Sequence, residues 1–330
     1  MRIEAYREED EIHIQGRAPE GLDRWRWLFG SDRATALLGW SHTALVAARG
    51  AVAKDLLVDG QVVQGAELIS LPIGDVGVQL EEEVEMGREL LDRLREQGVR
   101  VVYAAGASQW PDAVLTRLGF KTPFEFVERT FYLGLGGISR RLDEHGPHPF
   151  RRFAEMARRI RQKLIEVEMD NHWLSHLERV MEECTPQPRF CLRRDASYFA
   201  FRYRNVPGHQ YRLLVLRRQA GTGIDAFAIV ETFVPEPGQL GVRLVDHFTR
   251  NEDRAGVTWL FGELVMWSLA ERASVITGGT GHGTPLDQLF RRTGAIRRAW
   301  DAPFWIRALN DEAPPPLEDA ELRAGDLLSF

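Results

Sequence analysis

Apolar and polar positions along the chain change period several times, and each change marks a predicted element. The stretch KDLLVDGQVVQGAELISLPI, residues 54–73, reads as strand, turn, strand. Its Asp59-Gly60 pair is a two-residue hairpin signal in which glycine supplies φ > 0. In EEEVEMGRELLDRLREQG, residues 81–98, Val84, Gly87, Leu90, Leu91 and Leu94 fall on one helical face, and Gly98 suits a C-terminal cap. VRVVYAAG, residues 99–106, predicts a short strand buried on both faces. WPDAVLTRLGF opens with Pro111, which favours a first helical turn, and stops at Gly119.

A basic, amphipathic stretch follows from Arg151 to Cys184. Phe153, Met156, Ile160, Leu164 and Val167 hold a helical spacing, and Trp173, Leu174, Leu177 and Val180 mark a second helix. Pro186 and Pro188 break the pattern. Beyond Arg189, YRLLVLRR, IDAFAIVETFVP and GVRLVDHFTR read as three strands. GVTWLFGELVMWSLAERA reads as a helix, SVITGG as a strand, PLDQLFRRTGA as a helix and APFWIRAL as a last strand.

The second half thus repeats the order of the first: hairpin strands, long helix, short strand, short helix with a glycine stop, final strand. Glu89 and Glu263 stand 174 positions apart, and so do Leu115 and Leu289; a one-residue shift then aligns Gly119 with Gly294. The expected division is a first domain over 1–149, a helical connector over 150–188, a second domain over 189–310 and a tail over 311–330. The expected fold class is α/β (α+β), with a mixed, mostly antiparallel sheet flanked by helices in each domain.

Composition narrows the function classes. The net charge is −6 and the calculated pI about 5.9, which argues against nucleic acid as the main partner. Two cysteines, Cys184 and Cys191, are too few for a structural zinc site or a disulfide framework, and no metal is expected. The N-terminal stretch MRIEAYREEDEIHI lacks the apolar core of a signal peptide, and no window is long and apolar enough to span a membrane. A cytoplasmic location is the expectation, and the many aromatic residues could supply a homodimer interface.

The segments LTRLGF (Leu115 to Phe120), the preceding GVRVVYAAG and the equivalent LFRRTGA (Leu289 to Ala295) resemble the GNAT acyltransferase superfamily. SYFAFRYRNVPGHQYRLLVL (Ser197 to Leu216) is similar to the aromatic-Arg-Tyr opening of tandem GNAT-like proteins and of the related Fem-type transferases, with LDRWRWLFG (Leu22 to Gly30) a looser version in the first half. The resemblance covers roughly 20–135 and 190–309, and it implies two tandem GNAT-like domains. It also implies transfer of an acyl group from acetyl-CoA or another acyl-CoA to an amine or hydroxyl of a small-molecule acceptor. The CoA pyrophosphate would lie on backbone N–H groups at the start of the long helix.

The family's pyrophosphate signature is Arg or Gln, two residues, Gly, one residue, then Gly or Ala, and neither half carries it. In the first half Glu81, Glu82, Glu83 and Glu85 crowd the helix start and Val84 stands where Arg or Gln is expected, which predicts a degenerate, non-binding domain. In the second half Arg250 and Arg254 bring positive charge and Gly256 allows close approach, with Ala255 and Val257 beside it. Glu252 and Asp253 partly cancel that charge, and Asn251 or Asp253 could simply cap the helix.

Acyl transfer to an amine needs a base for the amine proton and an acid for the leaving thiolate. Asp246 and His247 precede the phosphate loop, and an imidazole with an ordinary pKa of about 6.5 suits a base. Glu231 on the neighbouring strand is the alternative. In TGGTGHGTPLD, His282 could serve as acid or base, and Thr280 and Thr284 could bind substrate; the bland alternative is a connection capped by Thr284. Arg202 and Tyr203 are the remaining substrate-binding candidates. The family often places an acidic Tyr near the glycine-rich stretch, and no Tyr follows Tyr211 here. Two other functions stay open: a Fem-like transferase with an aminoacyl donor, and a non-catalytic GNAT-like binding protein.

Overall fold

A computed structural model describes residues 1–15, 21–30, 32–71, 78–105, 110–133, 164–183, 189–204, 206–217, 224–250, 254–309 and 320–321. The predicted hairpin is present as β3 (Ala44–Val58) and β4 (Gln61–Leu71), joined by Asp59 and Gly60 with φ of 48° and 77°. Ahead of it lie β1 (Arg2–Ala5), helices α1 (Glu11–Ile14) and α2 (Gly21–Phe29), and β2 (Ala34–Ser41). After it come α3 (Leu80–Glu96), β5 (Val101–Ala105), α4 (Asp112–Arg117) and β6 (Lys121–Tyr132). The predicted face of α3 is the buried one.

The second half runs β7 (Ile165–Val167), α5 (Asn171–Glu182), β8 (Phe190–Leu192), α6 (Ala196–Tyr203), β9 (Tyr211–Arg217), β10 (Ile224–Phe233) and β11 (Gly241–Thr249). It ends with α7 (Arg254–Ala270), β12 (Val275–Gly281), α8 (Pro285–Arg292), β13 (Ile296–Ala308) and the short β14 (Ala320–Glu321). One departure from the sequence reading falls at Leu164 and Val167. The helical spacing there does not continue, because Ile165–Val167 pairs antiparallel with β9 as an edge strand. Its β-branched Ile165 and Val167 suit a strand, and Asp170 caps α5 just beyond, accepting from Trp173 N. Phe153, Met156 and Ile160 lie outside the described residues.

All strands join one sheet, in the order β1-β2-β3-β4-β5-β13-β6-β12-β11-β10-β9-β7, with β8 between β3 and β14 off that path. The pairings are antiparallel except β4–β5, β11–β12 and β8–β14. The order is not that of two adjoining sheets. β13, from the second half, lies between β5 and β6, and β6, from the first, lies between β13 and β12. Each half therefore presents its short parallel strand to the other half's last strand.

Helices cover both faces. On one face α3 and α4 pack over the first half, burying Leu90, Leu94 and Leu115, and α7 and α8 pack over the second, burying Leu264 and Phe290. On the other face α1 and α2 cover Leu38 and Val52, while α5 and α6 lie across both halves in a core that joins Leu56 and Tyr103 to Phe227 and Phe248. Buried ion pairs include Arg49–Glu83, and Arg129–Asp287 at 2.5 Å, each between helix and sheet, and Lys54–Glu67 at 2.5 Å between β3 and β4. Such pairs need good geometry to offset desolvation, and each has hydrogen-bond geometry here.

Candidate functional site

Parallel strands β11 and β12 pair only from Gly241–Val275 to Leu244–Gly278. Beyond that point β11 continues to Thr249 on β10, while β12 continues to Gly281 on β6. The two strands part, and the parting opens toward the carboxyl ends of both, where α/β sheets place ligands. At the same place the register of β11 against β10 skips Val245: Leu244 faces Val230 and Asp246 faces Ile229. Such a bulge re-aims the residues that follow. β4 and β5 part likewise after Glu67–Tyr103.

Beyond the bulge Asp246 and His247 take opposite faces, as adjacent strand residues do. Asp246 lies opposite Ile229, in the core under α6, and His247 opposite Ala228, in the core under α7. Asp246 is fully buried. Its Oδ2 accepts a 2.9 Å hydrogen bond from the Tyr203 hydroxyl and stands 3.5 Å from Arg194 Nε; its Oδ1 accepts from the His247 backbone N–H at 2.8 Å. Two sequence candidates, Tyr203 and Asp246, are thus brought into contact, and Arg194 joins them. The sequence gives Arg194 no signal, since its partner lies 52 positions along the chain. The His247 side chain is 8% exposed.

Glu231 belongs to a second group. It pairs across strands with Arg243, whose Nη1 donates to Oε2 at 3.1 Å, and its Oε1 lies 2.6 Å from His209 Nδ1. His209 Nε2 lies 3.5 Å from Arg24 of α2, so the chain of contacts reaches the first half. Burial raises the Glu231 carboxyl pKa, but His209, Arg243 and Arg202 outweigh burial and hold it below the usual range. A carboxylate held charged in this way accepts a proton poorly at neutral pH. Arg202, fully buried, donates to the Tyr211 hydroxyl at 3.2 Å and lies over the rings of Tyr203 and Tyr211. Burial works against its charge, and Tyr211, Tyr203 and Tyr198 outweigh burial and raise its pKa.

The first three glycines of the glycine-rich stretch, Gly278, Gly279 and Gly281, lie in strand. Gly278 lies in β12, where a Cβ would come within 2.9 Å of Phe290, so the missing side chain lets α8 close on the sheet. Thr280 is buried and its hydroxyl lies 2.7 Å from that of Thr284. Thr284 caps α8, accepting from Asp287 N. His282 sits exposed in the following turn.

The starts of the two long helices differ. At α3, Glu82 forms a capping box with Gln79, Glu81 pairs with Arg117 and Glu83 with Arg49. The protein's own carboxylates occupy that positive helix end. The first turn of α7 carries no acidic residue; Ala255 is exposed, Gly256 half-buried and Val257 buried. Arg250 donates to Glu183 at 3.2 Å. Arg254 begins the helix, and Asn251, Glu252 and Asp253 lie outside the described residues. Among the described residues no group of three or more His, Cys, Asp or Glu could hold a metal ion, and no helix is long and apolar enough to cross a membrane.

This mixed sheet flanked by helices is similar in fold to solved N-acyltransferases of the GNAT-like kind. A structure from Enterococcus faecalis V583, described as a probable N-acyltransferase, aligns over 93% of this chain and 72% of its own, with a TM-score of 0.63 at 14% identity. A GCN5-related N-acetyltransferase from Anabaena variabilis aligns over 94% and 73%, with a TM-score of 0.63 at 10% identity. N-myristoyltransferase from Saccharomyces cerevisiae, solved with myristoyl-CoA, aligns over 99% and 89%, with a TM-score of 0.60 at 10% identity. No protein-family model matches the sequence, and a search of curated proteins finds no match.

Proposed function

We propose that the protein is an acyltransferase that moves an acyl group from an acyl-CoA to an amine or hydroxyl of a small molecule, with its donor site in the second half. The observation that carries this reading is the parting of β11 and β12 beside a helix whose first turn, from Arg254, carries no acidic side chain. The first half parts its strands in the same way but fills its helix start with Glu81, Glu82 and Glu83, so it reads as a domain that no longer binds CoA. The structural neighbours named for acyl transfer, one of them holding myristoyl-CoA, support the class of donor.

In this reading the backbone of Ala255, Gly256 and Val257 receives the diphosphate, with Arg250 and Arg254 supplying charge. His247, on β11 just past the parting, takes the proton as the acceptor nitrogen or oxygen attacks the thioester carbonyl and the carbon–sulfur bond breaks. Asp246, Tyr203 and Arg194 fix the strand that carries it. The two halves descend from one duplicated GNAT-like domain, and the protein works in the reducing cytoplasm, where Cys191 stays a buried free thiol. Complete burial of Asp246 favours the second reading, a binding protein without catalysis.

Calorimetry with acetyl-CoA and longer acyl-CoAs tests the donor site, with Arg254→Glu and Gly256→Asp as controls. Micromolar binding lost in both variants is the expected result. No binding by any acyl-CoA would reject the donor class and leave an aminoacyl donor or a protein without catalysis.

A further inference from the structure

A shallow cavity, open to solvent, lies between β3 and α6. Its lining carries both charges, Arg33, Lys54 and Arg193 with Asp55 and Asp195, beside the aromatic Tyr198 and Phe201. Lys54 is already neutralised by Glu67, 2.5 Å away and fully buried. That leaves two guanidinium groups facing two carboxylates, a balanced set.

The set is arranged loosely. Arg193 stands 4.0 Å from Asp55 and 3.7 Å from Asp195, within ion-pair range but beyond a hydrogen bond. Arg33, at the cavity mouth, makes no side-chain hydrogen bond among the described residues. Asp195 is anchored, accepting from Ser197 Oγ at 2.7 Å and Tyr198 N at 2.8 Å. Burial raises its pKa, and those two bonds with Arg193 and Arg33 outweigh burial, so it stays charged. Paired guanidinium forks fit a carboxylate, and facing carboxylates fit an ammonium. A bare anion would answer only half of the lining.

We propose that this cavity binds a small zwitterion, the carboxylate and ammonium of an α-amino acid head group, with Arg33 and Arg193 on the carboxylate, Asp55 and Asp195 on the ammonium, and the side chain against Phe201. The site does not rest on the acyl-transfer reading, because its binding is measured without any acyl-CoA. It lies between the halves: Arg33 and Asp55 come from the first, and Arg193, Asp195, Tyr198 and Phe201 from the second. α6 links it to the other half: Asp195, Tyr198 and Phe201 stand at the cavity, and Tyr203 holds Asp246.

The test is calorimetry or ligand-observed NMR on the full chain with four probes: glycine, phenylalanine, acetate and methylamine. Saturable binding of the two amino acids, with acetate and methylamine weaker by at least about tenfold, is the expected result. Arg193→Ala, Arg33→Ala and Asp55→Asn should each weaken phenylalanine by about tenfold, while Arg2→Ala on β1, remote from the cavity, leaves binding unchanged. Arg33 and Asp55 reach solvent, so their variants should fold, and a melting curve checks this. No saturable binding of either amino acid, equal binding of acetate alone, or full binding by the folded Arg33→Ala and Asp55→Asn variants would overturn the proposal.

Discussion

Trp27 on α2 and Phe201 on α6 stand 174 positions apart and stack on each other, with 5.0 Å between ring centroids and 13° between planes. The Trp27 indole N–H also donates to the Phe201 carbonyl at 3.3 Å. The same offset separates Glu89 from Glu263 and Leu115 from Leu289. Residues related by a two-fold axis touch each other only near the axis. The antiparallel pairing of β6 with β13, which sets Phe126 beside Ala302, has the same local symmetry. Both observations fit the duplication proposed above, with an axis running through the exchanged strands.

That stack should be measurable as a coupling between halves. Trp27→Ala and Phe201→Ala should each destabilise by about 2–4 kcal/mol. A double-mutant cycle in urea should show about 0.5–1.5 kcal/mol of interaction, the usual worth of an aromatic pair. Strict additivity would show that the two rings merely lie close together.

The exchanged strands carry a stronger prediction. A fragment ending at residue 163 keeps β6 but loses β13, so β5 loses its antiparallel neighbour along Val101–Ala105. A fragment from residue 164 keeps β13 but loses β6, so β12 loses its antiparallel neighbour along Val275–Gly281. Exposed strand edges of this kind invite aggregation. Each fragment alone should be insoluble or lack cooperative melting, and the two expressed together should recover one cooperative transition. A stable, monomeric fragment on its own would contradict the exchange.

Most elements of this fold are legible in the sequence because each carries a local signal: Asp59-Gly60 for the hairpin, the spaced leucines of α3, the glycine stops at Gly119 and Gly294. The exchange is not legible, since β6 and β13 have the composition of central strands wherever they insert. The edge strand at Ile165–Val167 is also hidden, because three residues are too few for a period to show against a preceding helical spacing. Within the site, Asp246 and Tyr203 are visible as residue types, but their contact depends on a bulge at Val245 that no composition announces. The packing of Gly278 against Phe290 is hidden too, since it depends on the position of α8.

Glu231 offers a test in pH. Its folded pKa lies below the ordinary carboxyl value of about 4.3, through His209 and Arg243. A depressed folded pKa adds stability that is present above the unfolded pKa and lost as pH falls through the folded one. Unfolding free energy should therefore drop between about pH 5 and pH 3, and Glu231→Gln should flatten that slope. An unchanged acid slope in Glu231→Gln would show that other carboxylates carry the acid sensitivity.

Tyr203 and His247 separate support from chemistry. Tyr203→Phe removes the 2.9 Å hydrogen bond to a fully buried carboxylate, at a cost of about 1–3 kcal/mol. Asp246→Ala costs more, about 3–5 kcal/mol, because it leaves buried Arg194 without its nearby carboxylate. Both should appear in a urea titration and reduce any transferase rate mainly through the fraction folded. His247→Ala leaves the contact to Asp246 in place, since the backbone N–H makes it, and a melting curve corrects its rate for the fraction folded. Once an acceptor is found, its turnover should nevertheless fall by about 10²–10⁴, the usual worth of a general base. His282→Ala, at an exposed turn, should stay within about twofold of the parent. A His247→Ala variant that is folded, binds acyl-CoA and turns over normally would move the base elsewhere on the parted strands.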